Sequence, residues 1–203
     1  MERLIIEGVL EGRAGSGTYV RAPRERLRRS RHREHRGGSP FRADMNEQGR
    51  RGTWESHSQA RVPAPERIAE RLAVDPGDPC VVTRYEFLAD GQSVQLSESW
   101  EPMAITDGTP VVLPEMGPLA GMGVVERMRS IGVVVETAVE VPRPGRATQE
   151  EANLLGVSVG ELLIRIERTY YGSDGRPVET ADITVPDVRW EIAYEIPVEQ
   201  PAR

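Results

Sequence analysis

Residues 82–102, VTRYEFLADGQSVQLSESWEP, and residues 166–186, IERTYYGSDGRPVETADITVP, carry one pattern twice. Adding 84 takes Arg84 to Arg168, Asp90-Gly91 to Asp174-Gly175, Val94 to Val178 and Pro102 to Pro186. Upstream, an offset of 83 takes Leu72, Val74 and Gly77 to Leu155, Val157 and Gly160. Each copy reads helix end, glycine turn, strand, Asp-Gly turn, strand, proline stop. Two runs of β-branched and aromatic residues joined by Asp-Gly specify a hairpin, because glycine takes the positive φ of the tight turn without steric cost. The repeat therefore predicts a domain built on two similar hairpins.

The chain has 203 residues, 38% hydrophobic and 29% charged, enough for one good core and a small appendage. No apolar run approaches the roughly 20 residues of a membrane span, and the first residues lack the pattern of a secretory signal. A cytoplasmic protein with no membrane partner is expected. Cys80 stands alone inside a strand run, so it reads as a small buried hydrophobe rather than a nucleophile. All 26 basic residues of the Lys+Arg count are arginine, a uniformity that reads as codon bias, and the net charge is −6. Arginine richness is therefore discounted as a nucleic-acid signal. His32 and His35 have no Cys or third His near them, and no histidine follows His57. Neither a metal site, a cofactor nor a Ser-His-Asp or Cys-His catalytic set is expected, and the chain is read as a non-enzyme.

In chain order, Met1–Glu7 reads as a helix end stopped by Gly8, followed by a hairpin with strands near residues 9–11 and 18–20. Residues 23–61 are polar and irregular, and open with an Arg-Glu run that reads as a linker. Ser39 and Pro40 start a short helix as cap and first-turn residue. A helix from Pro65 to Leu72 presents Ile68 and Leu72 to a core. Residues 121–131 form a helix with an apolar stripe of Val124, Met128 and Ile131. Residues 133–141 form a strand with Val133, Val135, Val139 and Val141 on one face, and Thr148-Gln149-Glu150-Glu151 is a capping box. A last antiparallel strand alternates Val188, Trp190, Ile192, Tyr194 and Ile196 with polar residues. This order predicts an α+β fold, one antiparallel sheet with helices packed on it.

The string LxxEGxLExRxGxGTxV, residues 4–20, resembles the end of the recognition helix and the wing of the winged helix-turn-helix in GntR-family bacterial transcription regulators. The resemblance implies DNA contact by Arg13, Ser16, Gly17, Thr18 and Tyr19, with glycine letting the backbone approach phosphates. The helices that precede this segment in the family are not in the sequence, so the expectation is an incomplete DNA-binding domain over residues 1–22, a linker over 23–40 and a second domain over 41–198.

The patterns RxxxLADGxxVxLxxSxxP and ERTYYxxDGRPVE resemble the UTRA domain, the effector-binding half of the HutC branch of that family. The resemblance implies a chorismate lyase-like fold, a small-molecule effector, a homodimer and operator DNA as partners. Along the first hairpin Gln95, Ser97 and Ser99 share one strand face, and Val94, Leu96, Glu98 and Trp100 the other. Where relatives that bind phosphosugars carry two arginines and a glutamate, this chain has Tyr85, Phe87 and Ser97, which suits a less charged or partly apolar ligand. Glu179 matches the carboxylate of the GRPVE motif and is the leading candidate acceptor. Arg42, Gly123, Tyr171 and Trp190 complete the expected effector site, and Arg168 is read as surface-paired. The leading function is an allosteric transcription regulator. The alternatives are a truncated metabolite-binding dimerisation partner and a lyase-type enzyme.

Overall fold

The computed structural model describes residues 10–13, 17–20, 26–30 and 38–193. Strands β1 (Leu10–Arg13) and β2 (Gly17–Val20) form an antiparallel hairpin with Arg13 opposite Gly17. Strand β3 (Leu27–Ser30) is followed by helix α1 (Pro40–Glu47). Then come β4 (Gly52–Pro63), α2 (Glu66–Leu72), β5 (Pro79–Ala89) and β6 (Gln92–Pro102). Helices α3 (Met103–Thr106) and α4 (Gly123–Ser130) lead to β7 (Val135–Arg146), α5 (Gln149–Leu155), β8 (Leu162–Gly172), β9 (Pro177–Pro186) and β10 (Trp190–Ala193).

Strands β4 to β9 make one six-stranded antiparallel sheet in the order β4-β5-β6-β9-β8-β7, and the fold is α+β as expected. The repeat is more extensive than the sequence pattern suggests. Adding 83 carries β4 onto β7, α2 onto α5 and β5 onto β8 end for end, and only the last strand, ending at Pro102 and Pro186, is offset by 84. The extra residue lies in the turn. Asp90 (φ 52°) and Gly91 (φ 81°) lie between the paired Ala89 and Gln92 of the first hairpin, whereas Ser173, Asp174 and Gly175 (φ 76°) lie between Gly172 and Arg176, joined by a backbone hydrogen bond, in the second. Arg84 is thus equivalent to Glu167 in the fold, and Arg168 to Tyr85. A one-residue slip turns a strand residue to the other face, and this one separates the two arginines that the sequence repeat aligned.

The two faces differ in what covers them. On the far face α2 buries Ile68 and Leu72 against Cys80, Val82 and Trp100, each buried side chain contributing about 1.5–3 kcal/mol. Also on that face α5 buries Ala152 and Leu155 against Leu163 and Leu96. The capping box starts α5 as predicted: the Glu151 amide donates to Thr148 Oγ1 at 3.2 Å and the Thr148 amide to Glu151 Oε2 at 2.9 Å. A charged row, Arg84, Glu98, Asp182 and Glu167, crosses the far face, where Asp182 accepts from Arg67 and Arg71 of α2. On the near face Phe41 and Met45 of α1 and Leu27 and Trp190 of the β3–β10 pair pack on Ile166, Ala181, Ile183 and Val185.

Four expectations are corrected. Strand β10 pairs in parallel with β3, not antiparallel, with Arg29 opposite Ile192; Tyr194 and Ile196 lie outside the described residues. Val94 is the extra residue of a bulge between the Leu88–Ser93 and Phe87–Gln95 pairs, which turns it into the near-face core rather than the far face. In β7 a register shift between Val135 and Thr137 divides the valines: Val135 is buried, whereas Val139 and Val141 are 45% and 37% exposed. Finally, residues 52–63 are a strand and not part of an irregular segment. As an edge strand it exposes residues of both faces, so no apolar alternation marks it.

Candidate functional site

Between the near face, α1, the segment preceding α4 and α4 itself lies a cavity of about 480 Å³. Its floor is β6 and β9: Gln95, Ser97 and Ser99 alternate onto it from one strand and Glu179 from the other. One wall is aromatic. Tyr85 and Phe87 stack with ring centroids 5.3 Å apart, Phe41 leans on Phe87 at 4.8 Å, and Trp54 of β4 completes the wall at 6.1 Å from Phe87.

Charge enters this floor in pairs. Glu179 is fully buried, and its Oε1 accepts from Ser99 Oγ at 2.7 Å and from Arg168 Nη2 at 2.8 Å. Its Oε2 has no partner among the described residues. The Arg168 guanidinium also lies 4.5 Å from the Tyr170 ring centroid, a cation–π contact that fixes its plane. Arg127 forks onto Glu101 at 2.7 and 2.9 Å and donates to the Val111 carbonyl at 2.6 Å. Burial, then the nearby Glu115 and Glu101 carboxylates, push the Tyr85 phenol well above its ordinary value, so it stays protonated and donates to Glu115 Oε1 at 3.1 Å. From the strand before α1, Arg29 reaches in, donating to Gln95 Oε1 at 2.8 Å and lying 3.6 Å from Glu140. A larger groove of about 840 Å³ lies beside Arg50, Gly156 and Arg189, where Arg189 is engaged with the carbonyls of Ser93, Leu155 and Gly156.

The family model of the UTRA domain matches residues 47–189, which span both hairpins and the whole six-stranded sheet. The chain belongs to the UTRA domain family. A crystal structure assigned to the GntR family of transcriptional regulators is 45% identical, with a TM-score of 0.86 over 98% of this chain and 80% of that one, so the chain belongs to the GntR family as well. The HTH-type transcriptional regulator YurK of Bacillus subtilis (strain 168) is 24% identical over 176 residues, 86% of this chain and 68% of YurK. PhnF from Mycobacterium smegmatis shares the fold with a TM-score of 0.73 at 21% identity, over 98% of this chain and 82% of that one.

Six of the residues expected at the effector site of this UTRA domain line the cavity: Tyr85, Gln95, Ser97, Ser99, Gly123 and Glu179. Three do not. Arg42 is exposed and lies 4.7 Å over the Trp54 ring, supporting the aromatic wall rather than forming it. The β8–β9 register shifts between Tyr170 and Tyr171, so Tyr170 takes the cavity position. Trp190 is buried in the near-face core, with Nε1 donating to the Val94 carbonyl at 2.7 Å. Gly123 serves as close approach: at φ 75°, its missing Cβ would lie 3.1 Å from the Gly38 carbonyl oxygen.

The UTRA cavity also contains residues that the sequence reading passed over. Arg168, read as surface-paired, has a side chain only 13% exposed and is held by Glu179. Arg29 was hidden in an arginine-rich linker, and Trp54 lies on the strand whose pattern the edge position erased. Of the wing residues, Arg13, Gly17, Thr18 and Tyr19 lie in the β1–β2 hairpin, with Thr18 exposed; Ser16 and the expected helix at Met1–Glu7 lie outside the described residues.

Proposed function

We propose that this chain is an effector-responsive transcription regulator of the HutC type, working as a homodimer on an operator. A small molecule enters the cavity, and its occupancy changes the position of β3, the strand between the β1–β2 hairpin and the sheet. The hairpin carries Arg13, Gly17, Thr18 and Tyr19 to DNA, with Ser16 a further contact, and β3 governs where it sits relative to a second copy. The chain acts by binding, with no catalytic step.

The observation that carries this reading is the hydrogen bond from Arg29 of β3 to Gln95 on the cavity floor. A ligand that reaches Gln95 meets the connecting strand directly, so it has different contact energies in states that differ in β3, which is what an allosteric ligand requires. Sequence reading of β6 and the membership in the two families point the same way.

The test is fluorescence anisotropy on DNA from upstream of the chain's own gene, with fractionated metabolite extract added. At least one fraction is expected to change the DNA affinity of the wild type, and Arg29→Ala is expected to keep thermal stabilisation by that fraction while losing the change in affinity. If no fraction changes DNA affinity, the regulator reading fails. An equal response in Arg29→Ala overturns the route through β3 and leaves the rest.

A further inference from the structure

Every arginine bordering the cavity among the described residues has a carboxylate beside it. Arg168 has Glu179 at 2.8 Å, Arg127 has Glu101 at 2.7 Å, and Arg29 has Glu140 at 3.6 Å. A phosphate or sulfate entering here meets guanidiniums whose charge a carboxylate already matches, and drawing one away would leave a buried carboxylate uncompensated, among the most costly arrangements a protein interior can hold. Among the atoms of the first two pairs, Nε of Arg127 and of Arg168 are buried donors without an acceptor, but each belongs to a cation whose charge is already matched. Glu179 Oε2 is an acceptor with no donor on a side chain that is 0% exposed. A buried acceptor without a partner is destabilising until something donates to it. Ser97, two residues from Gln95 and Ser99 on the same strand face, has a hydroxyl that both donates and accepts.

The wall agrees with the floor. The stacked rings of Tyr85 and Phe87 present π faces, which attract apolar surface and positive charge and repel anions. Because Tyr85 directs its hydroxyl to Glu115, that carboxylate also borders the cavity, as does the exposed Glu136. The first turn of α4, which borders the cavity, carries Glu126, which opposes an anion there.

We propose that the cavity takes an uncharged or cationic small molecule that presents N–H or O–H donors to Glu179 and a ring or hydrocarbon face to Tyr85, Phe87 and Trp54, and that it discriminates against phosphorylated ligands. This rests on the effector-binding reading of the same cavity. The donor comes from an amine or from a hydroxyl, and both supply what Glu179 Oε2 lacks.

Isothermal titration of the intact chain with two matched pairs, benzylamine with phenyl phosphate and glucosamine with glucosamine 6-phosphate, tests the proposal at constant ionic strength. In at least one pair the unphosphorylated member is expected to bind about tenfold more tightly than its phosphorylated partner, the worth of one hydrogen bond to a charged group. Response only to benzylamine identifies the amine as the donor that matters, and response only to glucosamine identifies the polyol. Glu179→Gln is expected to lower affinity for the responding probe by a similar factor, and the wild-type pairs decide the matter even if that variant does not fold. Tighter binding of either phosphorylated member overturns the class while leaving the effector reading intact. Binding by none of the four also overturns it, and the effector reading then stands or falls on the DNA-affinity measurement, which assumes no ligand class.

Discussion

Arg168 holds in the second half of the sheet the place that Tyr85 holds in the first, and both face the same cavity. The two halves have the same backbone plan, but the side chains at this position have opposite character. One contributes a neutral ring and a hydroxyl, the other a cation already bound to Glu179. The cavity is therefore asymmetric in chemistry although it lies over a sheet with internal symmetry.

Arg127 and Glu101 form the most enclosed ion pair of the structure described, with side chains 2% and 1% exposed. Arg127→Met leaves Glu101 buried without a counter-charge and is expected to cost about 3–5 kcal/mol in urea denaturation. Arg127→Met combined with Glu101→Leu is expected to recover most of that loss, because removing both charges leaves nothing uncompensated. A double variant as unstable as the single one would contradict this account.

Acid is expected to loosen the far face first. Burial alone would raise the Asp182 carboxyl, but hydrogen bonds from Arg71 and Arg67 outweigh it and hold the group below the usual aspartate range. The folded carboxyl binds a proton less readily than the unfolded one. Its stabilisation is thus complete above the unfolded value of about 4, and is lost as pH falls through the lower folded value. Melting temperature measured across that acid range is expected to fall more gently in Asp182→Asn than in the wild type.

Gly123 and Gly132 both have positive φ, 75° and 83°, but only Gly123 sits against backbone. A Cβ at Gly132 meets nothing within 4 Å, so Gly132→Ala is expected to cost about 1–2 kcal/mol from conformation alone. Gly123→Ala adds a close approach to the Gly38 carbonyl and Pro40, and is expected to cost more and to weaken binding in the cavity, since Gly38 and Pro40 line it. Paired melting curves separate the two contributions.

Cys80 is completely buried, and burial, then the neighbouring Asp78, raise its thiol to about 11. Close to pH 8 only about one thiol in a thousand is ionised, and that one is enclosed by Leu72 and Trp100. Iodoacetamide is expected to label Cys80 no faster than the far-face core opens, with labelling rising steeply across the urea transition. Rapid labelling of the native chain would show that α2 leaves the sheet readily.

What the sequence made legible was what repeats and what alternates. The two hairpins, the capping box at Thr148 and the shared face of Gln95, Ser97 and Ser99 follow from local rules of turn chemistry and strand period. The errors arise where one residue changes phase. A bulge reversed Val94, a register shift divided Val135 from Val139, and a residue inserted in a turn paired Arg84 with the wrong partner. Edge position concealed β4 and with it Trp54. Arg29 lay beyond reach for a different reason: its contact with Gln95 depends on a strand pairing across the length of the chain, and nothing in an arginine-rich segment distinguishes the one arginine that turns inward.

Strands β6 and β9 are paired only from Leu96 to Trp100, a shorter ladder than any within either half, and the Ser99–Glu179 hydrogen bond spans that seam from the cavity side. The shortest ladder of the sheet thus joins the two hairpin units, and hydrogen exchange of the Leu96–Trp100 amides measures how readily they part. A guest touching both Ser97 and Glu179 is a clasp across the seam: it joins two units of local stability into one, and its presence is written in the exchange rates of strands at the middle of the sheet.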